Sequence, residues 1–130
     1  MEAIGELESQ VLEVLKDKGS ATASEVLEVL QNDRDIAYTT VSTTLDRLHK
    51  KKLVERKALV GPGGTKYQFR LGKDERRKAK IVEATIDRLT SAFGETAYSA
   101  IYRKLDSLPD DELQNLKRQV DRARKKRGNS

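Results

Sequence analysis

The helical period of residues 36–53 is the feature that most constrains how this chain can fold. Read as a helix beginning near Tyr38, the segment repeats its apolar residues at the spacing of a packed face. The residues predicted on that packed face are Val41, Leu45, Leu48 and Lys52. The opposite side combines short hydroxyls, one carboxylate and long cations: Thr39, Thr43, Asp46, Arg47 and Lys50, with Thr40 and Ser42 on its flanks.

The hydroxyl-rich outward side indicates a particular partner. Threonine is a mediocre helix former, so a helix that exposes several of them needs a reason outside the helix. A helix in the major groove of DNA supplies one, because Ser and Thr reach phosphates and bases, and Arg reaches guanine edges. The alternative is a solvated amphipathic helix whose polar composition has no ligand.

The distribution of charge favours the DNA interpretation. Residues 1–46 hold three basic and ten acidic side chains, whereas residues 47–72 hold eight basic side chains and one acidic one. Such segregation is typical of a polyanion-binding face on an acidic body. We expect Arg47 to read a guanine edge or clamp a phosphate, and Ser42 and Thr43 to meet base edges. The residues expected on phosphates are Thr39, Thr40, Lys50, Arg56, Lys57 and Lys66. Asp46, on the same outward side, is also among the expected DNA contacts.

Two helices are predicted before this segment. An apolar stripe that stops at Lys18-Gly19 predicts the first helix over about 5–18. The sequence Thr22-Ala23-Ser24-Glu25 matches a capping box and opens a second helix that ends near Gln31.

The period changes to two after the third helix. Strands are predicted over 53–60 and 66–71, joined by a glycine-rich loop over 61–65. Three helices followed by a hairpin is the order of a winged helix-turn-helix domain. In that fold the third helix enters the major groove, and the hairpin, or wing, lies over flanking phosphates. We assign residues 1–72 to this domain.

From Lys73 onwards the sequence predicts only helices, over about 74–93, from Glu95 and from Pro109. Each has a narrow apolar stripe of heptad-like spacing, which is typical of helices that pack on helices. We therefore expect residues 73–130 to be a dimerisation module with a basic, frayed tail over 122–130; the alternative is a three-helix bundle in a monomer. The residues expected to dimerise are Val82, Ile86, Leu89, Phe93, Tyr98, Ile101, Leu105, Leu113, Leu116 and Val120. The expected fold class is mainly α, with a small β component (α+β).

Composition argues against several other classes of protein. The chain has no cysteine and one histidine, which excludes a disulfide framework, a thiol nucleophile and a histidine cluster for a metal. No catalytic triad or acid–base carboxylate pair is recognisable, so we expect no enzyme activity and no cofactor. No apolar run approaches the ~18 residues of a membrane span, and the first residues do not form a signal peptide. We expect a soluble, cytoplasmic protein.

Several segments carry a family resemblance: residues 7–12, 23–26, 36–48, 51–54 and 66–69. Together they resemble the penicillinase repressor family of BlaI, MecI and CopY type, most clearly through Tyr38-Thr39-Thr40-Val41 and Arg47-Leu48. The resemblance covers residues 5–72 well and rests on helix layout beyond them. It implies a homodimeric winged-helix repressor that binds an inverted-repeat operator in double-stranded DNA and dimerises through its C-terminal helices.

Two departures from the family pattern matter. The absence of cysteine excludes copper sensing through thiolates. Lys52 stands where the family commonly has glycine, and a lysine there would cost about 1 kcal/mol of left-handed backbone strain. A regulatory protease or ligand, the operator and the inducing signal are not identified by the sequence. The interpretation is a sequence-specific repressor with helix 39–51 in the major groove and the wing 60–66 on phosphates. The alternatives are a non-specific or architectural DNA-binding protein and a winged-helix module for protein–protein contact.

Overall fold

The computed structural model of the chain describes residues 3–128, which contain six helices and a three-stranded antiparallel sheet. The elements are α1 (Glu6–Lys18), β1 (Ala21–Thr22), α2 (Ala23–Leu30), α3 (Tyr38–Lys50), β2 (Val54–Gly61), β3 (Gly64–Leu71), α4 (Glu75–Phe93), α5 (Glu95–Asp106) and α6 (Asp110–Gly128). The chain divides into two compact units between Ile86 and Asp87, within α4. The expected mainly α fold with a winged-helix element order is confirmed.

The core of the first unit is built from one face each of α1, α2 and α3. Its largest fully buried side chains are Val11, Leu15, Val26, Val41, Leu45 and Leu48. The predicted packed face of α3 is thus confirmed at three positions and wrong at Lys52, which is exposed because α3 ends at Lys50. Thr44 is buried beside this face, and its hydroxyl donates to the carbonyl oxygen of Thr40 over 2.7 Å, so the buried polar group is satisfied.

The C-terminal end of α3 is a Schellman motif with Lys52 in the left-handed position. Its φ is 64°, and among residues 3–128 it is the one non-glycine residue with a positive φ. The Leu53 amide donates to the Leu48 carbonyl, and the Lys52 amide to the His49 carbonyl, each over 3.0 Å. Leu48 and Leu53 both belong to the buried core, as this motif favours. The strain expected from the sequence at Lys52 is therefore present.

The start of α2 is the capping box that the sequence predicts. The Thr22 hydroxyl accepts a hydrogen bond from the Glu25 amide (3.3 Å), and the Glu25 carboxylate accepts one from the Thr22 amide (2.9 Å). The hydrogen bond that the Glu25 carboxylate accepts from the Thr22 amide, and next a hydrogen bond with the Thr22 side chain, lower the pKa of the Glu25 carboxyl.

The sheet has the order β1-β3-β2. The sequence did not predict β1, because a two-residue strand is too short for period-two alternation to reveal it; its Ala21 pairs with Phe69 of β3. In the hairpin, Val54 pairs with Leu71 at one end and Gly61 with Gly64 at the other. The predicted loop of five residues is therefore too long, since only Pro62 and Gly63 lie between the paired strands.

The first part of α4 packs into the first unit. Ile81 is 2% exposed within that core, and the Thr85 hydroxyl accepts a hydrogen bond from the Ile4 amide over 2.9 Å. In the second unit, α5 and α6 contain no buried residue. The predicted fraying of the tail is wrong as far as Gly128, because α6 continues to that residue; Asn129 and Ser130 lie outside the described residues.

Two kinds of feature are absent between residues 3 and 128. No helix there is sufficiently long and apolar to cross a membrane. No group of three or more His, Asp or Glu side chains there could hold a metal ion.

Candidate nucleic-acid interface

The outward side of α3 carries the residues predicted for DNA contact. Thr39, Thr40, Thr43, Asp46, Arg47 and Lys50 are exposed, and Ser42 is half-buried. The N-cap position is Ala37, and no side chain caps the helix start. The side chains of Thr39 and Thr40 therefore do not cap the helix. The first amides of α3 remain suited to an anion, because helix starts have unpaired donors and a favourable dipole.

The hairpin presents its cations on two different faces. Directly paired residues share a face of the sheet, so Arg56 lies on the face of the buried Phe69, whereas Lys57 and Lys66 lie on the opposite face. Arg56 also reaches α3, where its Nη1 atom is 3.5 Å from Oδ1 of Asp46. The predicted phosphate-binding cations of the hairpin therefore lie on two surfaces and not on one.

Several cations of the basic segment are held by acidic side chains. Lys51 Nζ is 2.7 Å from Glu8 Oε2, and Arg70 Nη2 is 2.8 Å from Glu55 Oε1. Within the part of the chain that the structure describes, no carboxylate forms an ion pair with the remaining predicted contacts, which are Arg47, Lys50, Lys57 and Lys66. These four exposed charges therefore have no acidic partner among residues 3–128 and can meet a polyanion.

A cleft of about 290 Å³ separates α3 from the hairpin and the start of α2. Its walls include Ser24, Tyr38, Ser42, Asp46, Arg56 and Tyr67. Sequence reasoning did not include Ser24 or Tyr38 in the site, although Tyr38 is half exposed and immediately precedes the hydroxyl run. Ser24 could have been found from the capping box, which begins α2 beside it. Of the alternating aromatic residues of β3, Phe69 is buried (4% exposed), whereas Tyr67 is 39% exposed.

The residues predicted to dimerise are placed at the surface or close to it. Ile101, Leu113 and Leu116 are half-buried. The others are exposed: Val82, Ile86, Leu89, Phe93, Tyr98, Leu105 and Val120. Tyr102 is 68% exposed and was missed, because it falls outside the heptad-like spacing of α5. Within the second unit, α5 and α6 form an open groove lined by Tyr102, Leu105, Leu113, Leu116 and Val120.

Comparisons with known proteins agree with this geometry. A family model described as penicillinase repressor matches residues 4–122. Among solved structures, a possible transcriptional regulator from Methanosarcina mazei Go1 is similar with a TM-score of 0.51 and 18% identity, over 71% of this chain and 78% of that one. The YusO protein from Bacillus subtilis has a TM-score of 0.51 and 20% identity, over 94% of this chain and 75% of that one.

These identities are low, so the structural likenesses establish the fold alone. No curated protein sequence matches the chain. The family model, by contrast, spans most of the sequence and both compact units. The chain therefore belongs to the penicillinase repressor family and is a winged-helix, DNA-binding transcriptional regulator.

Proposed function

We propose that the protein represses transcription as a homodimer bound to an inverted-repeat operator, with α3 in the major groove and residues 60–66 of the wing over flanking phosphates. The observation that carries this proposal is the outward side of α3, which exposes hydroxyls and unpaired cations beside a cationic hairpin. Such a surface offers base-edge contacts in its centre and phosphate contacts around them.

The proposed contacts follow from position on α3 and the hairpin. Arg47 lies past the middle of α3 and is the proposed base reader, with Ser42 and Thr43 one turn earlier. Thr39 and Thr40 lie at the uncapped helix start, where hydroxyls and amides suit a phosphate. The remaining proposed phosphate contacts are the cations Lys50, Arg56, Lys57 and Lys66.

The apolar stripes of the C-terminal helices support dimerisation. A three-helix bundle complete within one chain would bury side chains, but α5 and α6 bury none. Large exposed residues such as Phe93 (62%) and Tyr98 (63%) gain most from a partner surface. We propose residues 1–72 for DNA binding and 73–130 for dimerisation, with the buried Ile81 anchoring the start of α4. Two copies would present their α3 helices about one DNA turn apart.

Selection of a random duplex pool by the purified protein at near-physiological salt tests DNA recognition. Enrichment of a two-fold symmetric motif supports the proposal, and placing that motif across a promoter should lower transcription in vitro when the protein is added. A single enriched half-site would contradict the dimer. Recovery without enrichment, with a steep salt dependence, would favour the architectural alternative. Absence of binding even at low salt would favour a protein–protein module.

Sedimentation equilibrium tests the dimer separately. We expect the wild-type protein to sediment as a dimer and Leu116→Glu to sediment as a monomer, because the variant places a charge in the apolar groove between α5 and α6. Gln114→Glu is the matched control, since it adds the same charge at an exposed position of the same helix. A monomeric wild type, or equal effects of the two variants, would contradict the proposed interface.

A further inference from the structure

A three-residue cluster joins the outward side of α3 to the hairpin. The Arg56 guanidinium lies between the Asp46 carboxylate, at 3.5 Å, and the ring of Tyr67, whose centroid is 4.3 Å from the Arg56 Cζ atom. Each of the three residues comes from a different element: Asp46 from α3, Arg56 from β2 and Tyr67 from β3. The arginine is therefore held by an ion pair on one side and a cation–π contact on the other.

The cluster is also fixed to the core. The Tyr67 ring packs against Phe69 at a tilt of 56°, with 6.3 Å between ring centroids, and Phe69 is 4% exposed. The Arg56 side chain is about one-third exposed, so it is restrained but can still be reached from solvent. Lys57, its neighbour on the same strand, is exposed on the other face of the hairpin and has no such support.

A carboxylate on a DNA-facing surface needs a physical reason, because phosphates repel it. The Asp46 carboxylate is half exposed, yet its one ion-pair partner in the described part of the chain is Arg56. A guanidinium has five N–H donors in a planar fork, so one edge can face a carboxylate while another binds a phosphate oxygen. An arginine already held in place also loses less side-chain entropy when it binds.

We infer that Asp46 is a positioning residue, and that it holds Arg56 between α3 and the wing for contact with a backbone phosphate next to the bases that α3 reads. This inference rests on the proposed function and revises it, since Asp46 was expected to touch DNA itself. The cluster keeps Arg56 in a fixed position between α3 and the wing, so Arg56 contributes to the specific complex. Lys57 and Lys66, by contrast, act as general phosphate contacts.

Removal of the Asp46 carboxylate should change the operator affinity in opposite directions if Asp46 acts only by its charge or if it positions Arg56. Asp46→Ala removes one negative charge from the protein, so by charge alone every duplex should bind more tightly. If Asp46 positions Arg56, the operator should instead bind more weakly. We expect its Kd to rise about five- to tenfold, because the unsupported arginine must be ordered on binding. On random duplex the Kd should stay unchanged or fall. Alanine is a good helix former, and thermal unfolding checks that α3 is intact.

A double-mutant cycle between Asp46→Ala and Arg56→Ala tests the coupling directly. We expect Arg56→Ala to weaken operator binding about tenfold in the wild type and about twofold in the Asp46→Ala background, since one phosphate contact is lost only once. Lys57→Ala is the matched control, and its effect should multiply with that of Asp46→Ala. Tyr67→Leu should resemble Asp46→Ala, whereas Tyr67→Phe, which keeps the ring under the guanidinium, should bind like the wild type.

Three results would overturn the inference while leaving the proposed function standing: tighter operator binding by Asp46→Ala, independent effects of Asp46→Ala and Arg56→Ala, or an altered base preference at a single position when the Asp46→Ala protein is used for selection. The last result would make Asp46 a base reader. If the wild-type protein enriches no sequence at all, the proposed function fails and the inference fails with it.

Discussion

The ammonium group of Lys51 lies 2.7 Å from a carboxylate oxygen of Glu8 and also donates a hydrogen bond to the carbonyl oxygen of Ala3 over 2.9 Å. Both charged side chains are largely buried, at 19% and 15% exposed. The carbonyl oxygen of Lys51 in turn accepts a hydrogen bond from Arg77 Nε over 2.8 Å. The end of α3 is thus fastened to α1 and to the first part of α4, and Lys51 is structural although it lies within the most basic segment.

This arrangement predicts that two adjacent lysines have separable effects. Lys51→Ala should lower the free energy of unfolding by about 1–2 kcal/mol, since the largely buried Glu8 carboxylate loses its ion pair and the Ala3 carbonyl loses the hydrogen bond from Lys51. Lys50→Ala, at an exposed position, should leave unfolding unchanged and weaken binding to all duplexes by the loss of one phosphate contact. Urea denaturation and duplex titration measure the two properties. Equal stabilities of the two variants would contradict the structural role of Lys51.

We expect a stabilising substitution at Lys52, the third lysine of the run. Lys52→Gly should raise the free energy of unfolding by about 0.5–1 kcal/mol, because glycine adopts the left-handed conformation at φ 64° without the clash of a Cβ atom. The gain is limited by the greater freedom of glycine in the unfolded chain. Lys52→Ala is the control, since it removes the same charge but keeps the Cβ atom, and it should not stabilise. A gain of equal size in both variants would assign the effect to charge.

The different environments of the lysines at 50, 51 and 52 could not be predicted from the sequence. Helical periodicity predicted the buried apolar positions of α3 correctly up to Leu48, because burial repeats with the turn of the helix. It extended that face to Lys52, since the pattern contains no signal for the end of the helix without a glycine. The backbone geometry at the end of α3 gives each lysine a different environment. Lys50 is exposed, Lys51 pairs with Glu8 of α1, and Lys52 adopts the left-handed conformation.

Contacts distant in sequence were the other part that could not be predicted. Local signals, such as the Thr22–Glu25 capping box and the glycines at the hairpin tip, predicted the order of the six helices and the hairpin and nearly all of their boundaries, but not β1. The pairing of Asp46 with Arg56 depends on how α3 packs beside the hairpin, and no periodicity within either element encodes it. The burial of Ile81 depends likewise on where α4 meets the core, so its apolar stripe was assigned to dimerisation without that residue.

The capping box predicts a pH dependence of stability. Hydrogen bonds from Thr22 hold the pKa of the Glu25 carboxyl below its ordinary value in the folded chain. Its contribution to stability is therefore complete above the unfolded-state pKa and is lost as the pH falls through the lower folded-state pKa. Glu25→Gln should flatten this acid-side loss, whereas Glu28→Gln, on the same helix but outside the box, should preserve it. Urea denaturation across the acid range measures both, and identical profiles for Glu25→Gln and wild type would contradict the prediction.

The capping threonine can be tested at neutral pH. Thr22→Ala should lower the free energy of unfolding by about 1 kcal/mol, because the Glu25 amide loses its acceptor at the start of α2. Thr22→Ser keeps a hydroxyl at the cap and should recover most of that loss. Denaturation of the two variants side by side gives the comparison; an equal loss in both would mean that the methyl group of Thr22, and not its hydroxyl, stabilises the helix start.

Arg47 and Lys57 should differ in the kind of binding that they support. Arg47 is exposed on the outward side of α3, while Lys57 lies on the hairpin face opposite to Arg56. We propose that the first reaches base edges and the second only the backbone. Arg47→Ala should reduce the ratio of operator to random-duplex affinity, at a cost of about 1–3 kcal/mol on the operator alone. Lys57→Ala should weaken both duplexes equally and lower the salt slope by about 1. Titrations of both duplexes at several salt concentrations distinguish the variants. If Arg47→Ala weakened both duplexes equally, Arg47 would be a phosphate clamp, and base reading would fall to Ser42 and Thr43.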